Sequence, residues 1–172
     1  MIYTWEKQQL SKEEIMALEI DAEKQEPHAL AALGYFYCLG WHGYRKDFHR
    51  GITLINEATA KRLPQAFYVY GLLCANESLS EIYDYPKAIA FFKRSAELGF
   101  PRAMTRIGEA FLYGKGLEQS DRHAEDWLVK ARCSESIPGL IFLSEKYRKK
   151  GLIDKANKLL EKTTKFSTNP KK

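Results

Sequence analysis

Phe100-Pro101-Arg102-Ala103-Met104-Thr105-Arg106-Ile107-Gly108-Glu109-Ala110-Phe111-Leu112-Tyr113-Gly114-Lys115-Gly116 is the clearest copy of a unit that recurs along this chain. Moving back 37 positions, Leu63-Pro64-Gln65-Ala66 leads to Tyr70-Gly71 and Cys74. A further step of 37 reaches Glu26-Pro27-His28-Ala29, then Leu33-Gly34 and Tyr37. A step forward finds Pro138, so four prolines are evenly spaced. Asp47, Asp84 and Asp121 keep the same interval.

Each proline precedes about a dozen residues with apolar or small side chains at helical spacing. Proline suits a helix's first turn, where its missing N–H had no partner anyway. Each therefore starts a helix A. The three aspartates stand where an N-cap belongs, ahead of a second apolar-periodic run, helix B. Gly40-Trp41-His42-Gly43, Asn76-Glu77-Ser78 and Gly114-Lys115-Gly116 break the chain between them. Each unit is thus a helical hairpin. Gly34, Gly71 and Gly108 lie inside helix A, where glycine costs about 1 kcal/mol against alanine. A recurrent cost implies a recurrent use, and close approach of helix B at Gly51 and Ala88 supplies one. In the third unit Glu125 holds the matching place, with Ala124 one residue early. One hairpin cannot bury its own apolar face, so neighbours must stack.

Leu33-Gly34-x-x-Tyr37-x-x-Gly40 with Asp47 resembles the Sel-one-like repeat, a relative of the tetratricopeptide repeat. Ile107-Gly108-x-x-Phe111-x-x-Gly114-x-Gly116 with Asp121 matches more fully, and Arg94-Ser95-Ala96-Glu97-Leu98-Gly99 fits that family's helix B and its exit. A degenerate fourth copy runs through Leu143-Ser144, Tyr147, Gly151 and Asp154-Lys155-Ala156. The resemblance implies an all-α fold: an α/α solenoid of stacked antiparallel helix hairpins, about four repeats of 36–37 residues plus an N-terminal capping helix. Residues 1–166 are expected to form one solenoid, with a cap over 1–26 and repeats over 27–63, 64–100, 101–137 and 138–166. Residues 167–172 are expected to be a disordered basic tail. In the cap, Ser11 and Glu14 make a capping box before a helix to about Lys24, marked by Ile15, Leu18, Ala22 and Ile20.

The 172 residues are 45% apolar and 28% charged, enough for a core and unlike a disordered chain. Charge is uneven. Residues 145–172 hold ten Lys/Arg against three acids, and residues 1–26 hold three lysines against seven acids. The chain is therefore a nearly balanced domain with a basic end, not a basic domain, and no nucleic-acid partner is expected. Opposed ends point to a monomer or weak homodimer. Cys38, Cys74 and Cys133 form no C-x-x-C pair, and an odd number fits a reducing compartment. The start lacks a signal peptide's apolar run, and no window approaches a membrane span, so a cytoplasmic protein without membrane contact is expected.

In stacked hairpins of this type, the resemblance implies that helices A line a concave surface. Positions not needed for the A–B contact should face it: His28, Ala31, Tyr35 and Leu39; then Gln65, Tyr68, Leu72 and Asn76; then Arg102, Thr105, Arg106, Glu109 and Tyr113; then Phe142 and Lys146. The tyrosines either offer broad contacts or pack in the core. Arg102 and Arg106 lie four apart and point the same way. They either hold a carboxylate-bearing segment or pair with Glu109 and a neighbour. Trp41 and His42 lie in the longest and most aromatic loop, which either meets a partner or plugs the A–B junction.

Catalysis finds little support. His28, His42, His49 and His123 are scattered, with no cysteine or carboxylate at metal-ligand spacing. No metal and no cofactor is expected. The expected function is a non-enzymatic adaptor binding a protein or peptide through the groove or end loops. A bacterial immunity or antitoxin protein neutralising a toxin is an alternative that the resemblance implies. A β-lactamase-like enzyme is the other, by way of the family's secreted branch. That branch has paired cysteines in each repeat and an export signal, which this sequence lacks.

Overall fold

A computed structural model describes residues 10–168, and every regular element among them is helical. The chain divides into two compact units, Met1–Asp84 and Tyr85–Lys172. The first unit holds α1 (Lys12–Glu23), α2 (Pro27–Leu39), α3 (Phe48–Ala60) and α4 (Pro64–Cys74). The second holds α5 (Tyr85–Glu97), α6 (Pro101–Tyr113), α7 (Asp121–Ala131), a short 3-10 turn (Ser134–Ser136), α8 (Ile137–Lys149) and α9 (Ile153–Thr168). Residues 1–9 of the expected cap and 169–172 of the expected tail lie outside the described residues, and helix α9 continues to Thr168.

Pro27, Pro64 and Pro101 open α2, α4 and α6. Pro138 is the second residue of α8, not the first, so the fourth helix A starts one residue ahead of the 37-residue interval. Two positions before the first three prolines, the chain turns left-handed: φ is 61° at Gln25, 57° at Arg62 and 86° at Gly99. Glycine occupies that conformation without penalty. Arg62→Gly is therefore expected to stabilise the protein by about 0.5–1 kcal/mol in urea titration.

The hairpins close alike. The Asp47 N–H donates to Tyr37 O at 2.9 Å, Asp84 N–H to Cys74 O at 2.9 Å, and Ser120 N–H to Phe111 O at 3.0 Å. Counted between these bonded residues, the third connection is one residue shorter than the first two. This corrects the aspartate rule at its third copy. Asp47 caps α3 through the Arg50 N–H at 2.9 Å. At α7 the capping side chain is Ser120, which accepts from His123 N–H at 3.3 Å, and Asp121 becomes the first helical residue. The same shift seats Ala124, fully buried, where the first hairpin has Gly51. The Ser11–Glu14 capping box of α1 is present in both directions, at 3.2 and 2.8 Å.

The glycines mark close contacts between helices. A Cβ on Gly34 would lie 2.7 Å from Gly51 O, and one on Gly51 would lie 2.6 Å from Gly34 O and 2.9 Å from Cys38 N. In the second unit, a Cβ on Gly108 would meet Leu128 at 2.7 Å. Around these contacts, Leu18, Leu30, Phe36, Ile55, Val69 and Leu73 pack the first unit. Leu112, Leu128, Leu140, Leu143 and Leu159 pack the α6–α9 part of the second.

Asp121 and Glu125 of α7 hold the next hairpin. Asp121 accepts from Lys146 Nζ at 2.5 Å and Lys150 Nζ at 3.0 Å. Glu125 accepts from Tyr147 Oη at 3.0 Å and lies 3.1 Å from Lys155 Nζ. Burial pushes the Asp121 carboxyl up, but the hydrogen bonds and charges of Lys146 and Lys150 outweigh it and leave it below its ordinary value. A depressed carboxyl contributes stability at neutral pH, lost as pH falls through its folded titration. Asp121→Asn is expected to lose about 0.5–1 kcal/mol at neutral pH. The two proteins should converge in acid titrations below about pH 4.

Candidate protein-binding surface

Helix α6 presents a stripe with positions spaced four, three and four residues apart: Arg102, Arg106, Glu109 and Tyr113. Ala103, Ile107 and Ala110 point inward and are buried, which turns this stripe outward. Tyr113 is 54% exposed and its ring centroid lies 5.8 Å from that of Phe142 on α8, itself 46% exposed. Two large aromatic rings therefore meet at the surface across adjacent hairpins.

The arginines are engaged. Arg102 donates from Nε and a terminal nitrogen to Glu135 Oε1, each at 3.0 Å, and Arg106 reaches Glu109 at 3.2 Å. Burial pushes the Glu135 carboxyl up, while its own backbone hydrogen bond and the Arg102 charge bring it below its ordinary value. Glu135 was not legible from the repeat. It sits in the turn before α8, where spacing gives no helical face. The ion pairs fix the stripe's polar half and leave the aromatic pair as its open apolar part.

Three positions expected to face the groove are buried instead: Ala31 at 0%, Tyr68 at 3% and Thr105 at 4% exposure. Each lies four residues after its helix's opening proline, on the side of helix A that packs inward. Thr105 shows why. Its hydroxyl lies 3.4 Å from Cys133 Sγ and donates to Pro101 O at 3.3 Å, so this face is filled from within. Tyr68 and Thr105 thus present no open surface. Tyr35 and Leu72 are half-buried.

In the first unit the aromatic loop divides between surface and interior. Trp41 is 45% exposed and meets Tyr35 edge-on at 5.6 Å. His42 turns inward, its ring 4.3 Å from Phe36, and its Nδ1 accepts from the Leu10 N–H at 3.3 Å. Tyr44 packs on Phe36 and Tyr37 and donates to Glu19 at 2.9 Å. So Trp41 belongs to the surface and His42 to the junction. Beside them, α1, α2 and α3 enclose a cleft of about 410 Å³ with Leu30, Leu33 and Leu54 on its wall and Glu19, Glu23 and Arg50 among its polar residues.

Burial pushes the Cys38 thiol up to about 12, and its Sγ lies 3.9 Å from Phe48 O, while His42 engages Leu10 through Nδ1 alone. Burial also pushes the Cys133 thiol up. Among the described residues no three His, Cys, Asp or Glu side chains gather as a metal site, and no helix is long and apolar enough to cross a membrane.

The chain is similar to several known proteins. It is 29% identical over 127 residues to chitin synthase regulatory factor 3 of Schizosaccharomyces pombe, covering 70% of this chain and 13% of that protein. It is 28% identical over 113 residues to HRD3B of Arabidopsis thaliana, an ERAD-associated E3 ubiquitin-protein ligase component, covering 65% and 17%. The chain therefore spans less than a fifth of either relative. Among solved structures, a protective antigen of uropathogenic Escherichia coli with an SLR fold superposes with a TM-score of 0.68 at 23% identity, covering 88% of this chain and 33% of that one. A Sel1 repeat protein from Oxalobacter formigenes gives 0.52 at 24% identity, covering 68% and 86%. The Sel1 repeat itself matches residues 27–61, 67–100 and 101–134, and with the hairpins, glycine contacts and prolines already described, the chain belongs to the Sel1 repeat family.

Proposed function

We infer that this chain is a non-catalytic adaptor that binds a protein or peptide on the α6–α8 surface. Sel1 repeats serve protein–protein interaction, and the two curated relatives are a regulatory factor and a ligase component. The observation that carries the assignment is the exposed Tyr113–Phe142 pair, bordered on α6 by the arginine ion pairs. Solvent-exposed aromatic rings supply much of the energy of protein interfaces, and fixed charges beside them set register. A partner side chain placed against both rings would be recognised by apolar contact. The ion pairs would order the flanking polar contacts.

The test is affinity capture with the full chain, followed by direct titration of the recovered partner. Tyr113→Ala with Phe142→Ala is expected to weaken binding by at least about tenfold, the loss of roughly 1.4 kcal/mol. Both side chains are exposed, so the helical signal should not change. Undiminished binding would overturn the assignment. A toxin is a narrower form of the same partner class, and the identity of the captured protein decides it.

A further inference from the structure

Positions that are buried or ion-paired in the earlier helices can be followed along the repeat to the α8–α9 hairpin. On helices A one seat is Ala31, Tyr68 and Thr105, buried in each case. The buried residues of α8 (Leu140, Leu143, Ser144) align with Met104, Ile107 and Gly108 of α6, 36 residues earlier, so the same seat on α8 is Ile141. It is 41% exposed. On helix B the gripping seats of α7 are Asp121 and Glu125, which hold four lysines of the following hairpin. Buried Ala156 aligns α9 with Ala124, 32 residues earlier, and puts Ile153 at the Asp121 seat. Ile153 is 47% exposed. Positions that are buried in the earlier helices A, or ion-paired on α7, therefore carry two exposed isoleucines here.

Helix α1 offers the complement. Met16 and Ile20, 64% and 44% exposed, lie on one stripe between Glu13 and Glu23. The helix carries five acids against one lysine. Residues 137–168 carry eight Lys/Arg against three acids, and stay cationic when Asp121 and Glu125 are counted with them.

We propose that the chain self-associates head to tail, the α1 stripe of one copy docking on the Ile141–Ile153 face of the next. Two different surfaces meet, so the contact is heterologous and propagates unless blocked. This proposal does not rest on the α6–α8 partner surface, because Tyr113 and Phe142 are left unchanged in every variant below. Sedimentation of the full chain up to millimolar concentration tests it. Association is expected in about 0.05 M salt and should weaken at least tenfold in about 0.5 M salt, where charge attraction is screened. Met16→Glu with Ile20→Glu blocks the head, and Ile141→Lys with Ile153→Lys blocks the tail. Each variant alone should be monomeric. An equimolar mixture should give a 1:1 heterodimer and nothing larger, because one intact head then meets one intact tail. A wild-type monomer at every concentration overturns the proposal. So does association that survives in either variant, or a mixture that stays monomeric.

Discussion

Replacing Gly51 with leucine is expected to destabilise the first unit by about 3 kcal/mol or more. The Cys38 sulfur crowds the site, and behind it stands backbone that cannot yield. A Cβ on Gly51 would stand 2.6 Å from Gly34 O and 2.9 Å from Cys38 N, and neither atom can rotate away. The α2–α3 pair would have to part. That would open the packing of Leu30, Leu33 and Ile55 against one another. Urea unfolding followed by circular dichroism checks it. An unchanged midpoint would mean that α2 and α3 do not approach as closely as the paired glycines require.

Leu128→Ala is expected to cost about 3 kcal/mol. Leu128 is fully buried on α7, against Gly108 of α6 on one side and Gly139 of α8 on the other. Glycine stands on both of these sides, so neither position offers a side chain to close the cavity. That places the substitution well within the large-cavity range. Thermal and urea unfolding should agree on the loss, and a cost under about 1 kcal/mol would contradict this packing.

Much of the hairpin architecture was legible because it repeats. Pro27, Pro64 and Pro101 each open a helix, Gly34 and Gly108 each meet helix B, and Ser11 caps α1 as its pairing with Glu14 predicts. What failed was local length. The third loop closes one residue early, so Asp121 leaves the cap to Ser120 and becomes an anchor for Lys146 and Lys150. Periodicity reports position within a unit, but a one-residue difference in a loop rotates every later side chain by a helical step.

The surface was less legible, for a related reason. Helical spacing placed Arg102, Arg106, Glu109 and Tyr113 on one stripe, where they are found. It did not separate that stripe from the neighbouring one holding Tyr68 and Thr105, which are buried. A tyrosine in a stacked repeat has two faces available, and only the packing of adjacent elements decides between them. Glu135 lies in a turn and reaches Arg102 from 33 residues away, beyond what a periodic pattern can report. Phe142 stood at a plausible position, but its contact with Tyr113 depends on how α8 lies against α6.

Site-specific photocrosslinking tests most directly whether the α6–α8 surface presents the partner-binding site. A benzophenone side chain would be introduced in turn at positions 113, 142 and 93, the last an exposed position on α5. Crosslinks to one captured protein from positions 113 and 142, and none from 93, are the result expected here. Capture from 93 with none from 113 or 142 would contradict it.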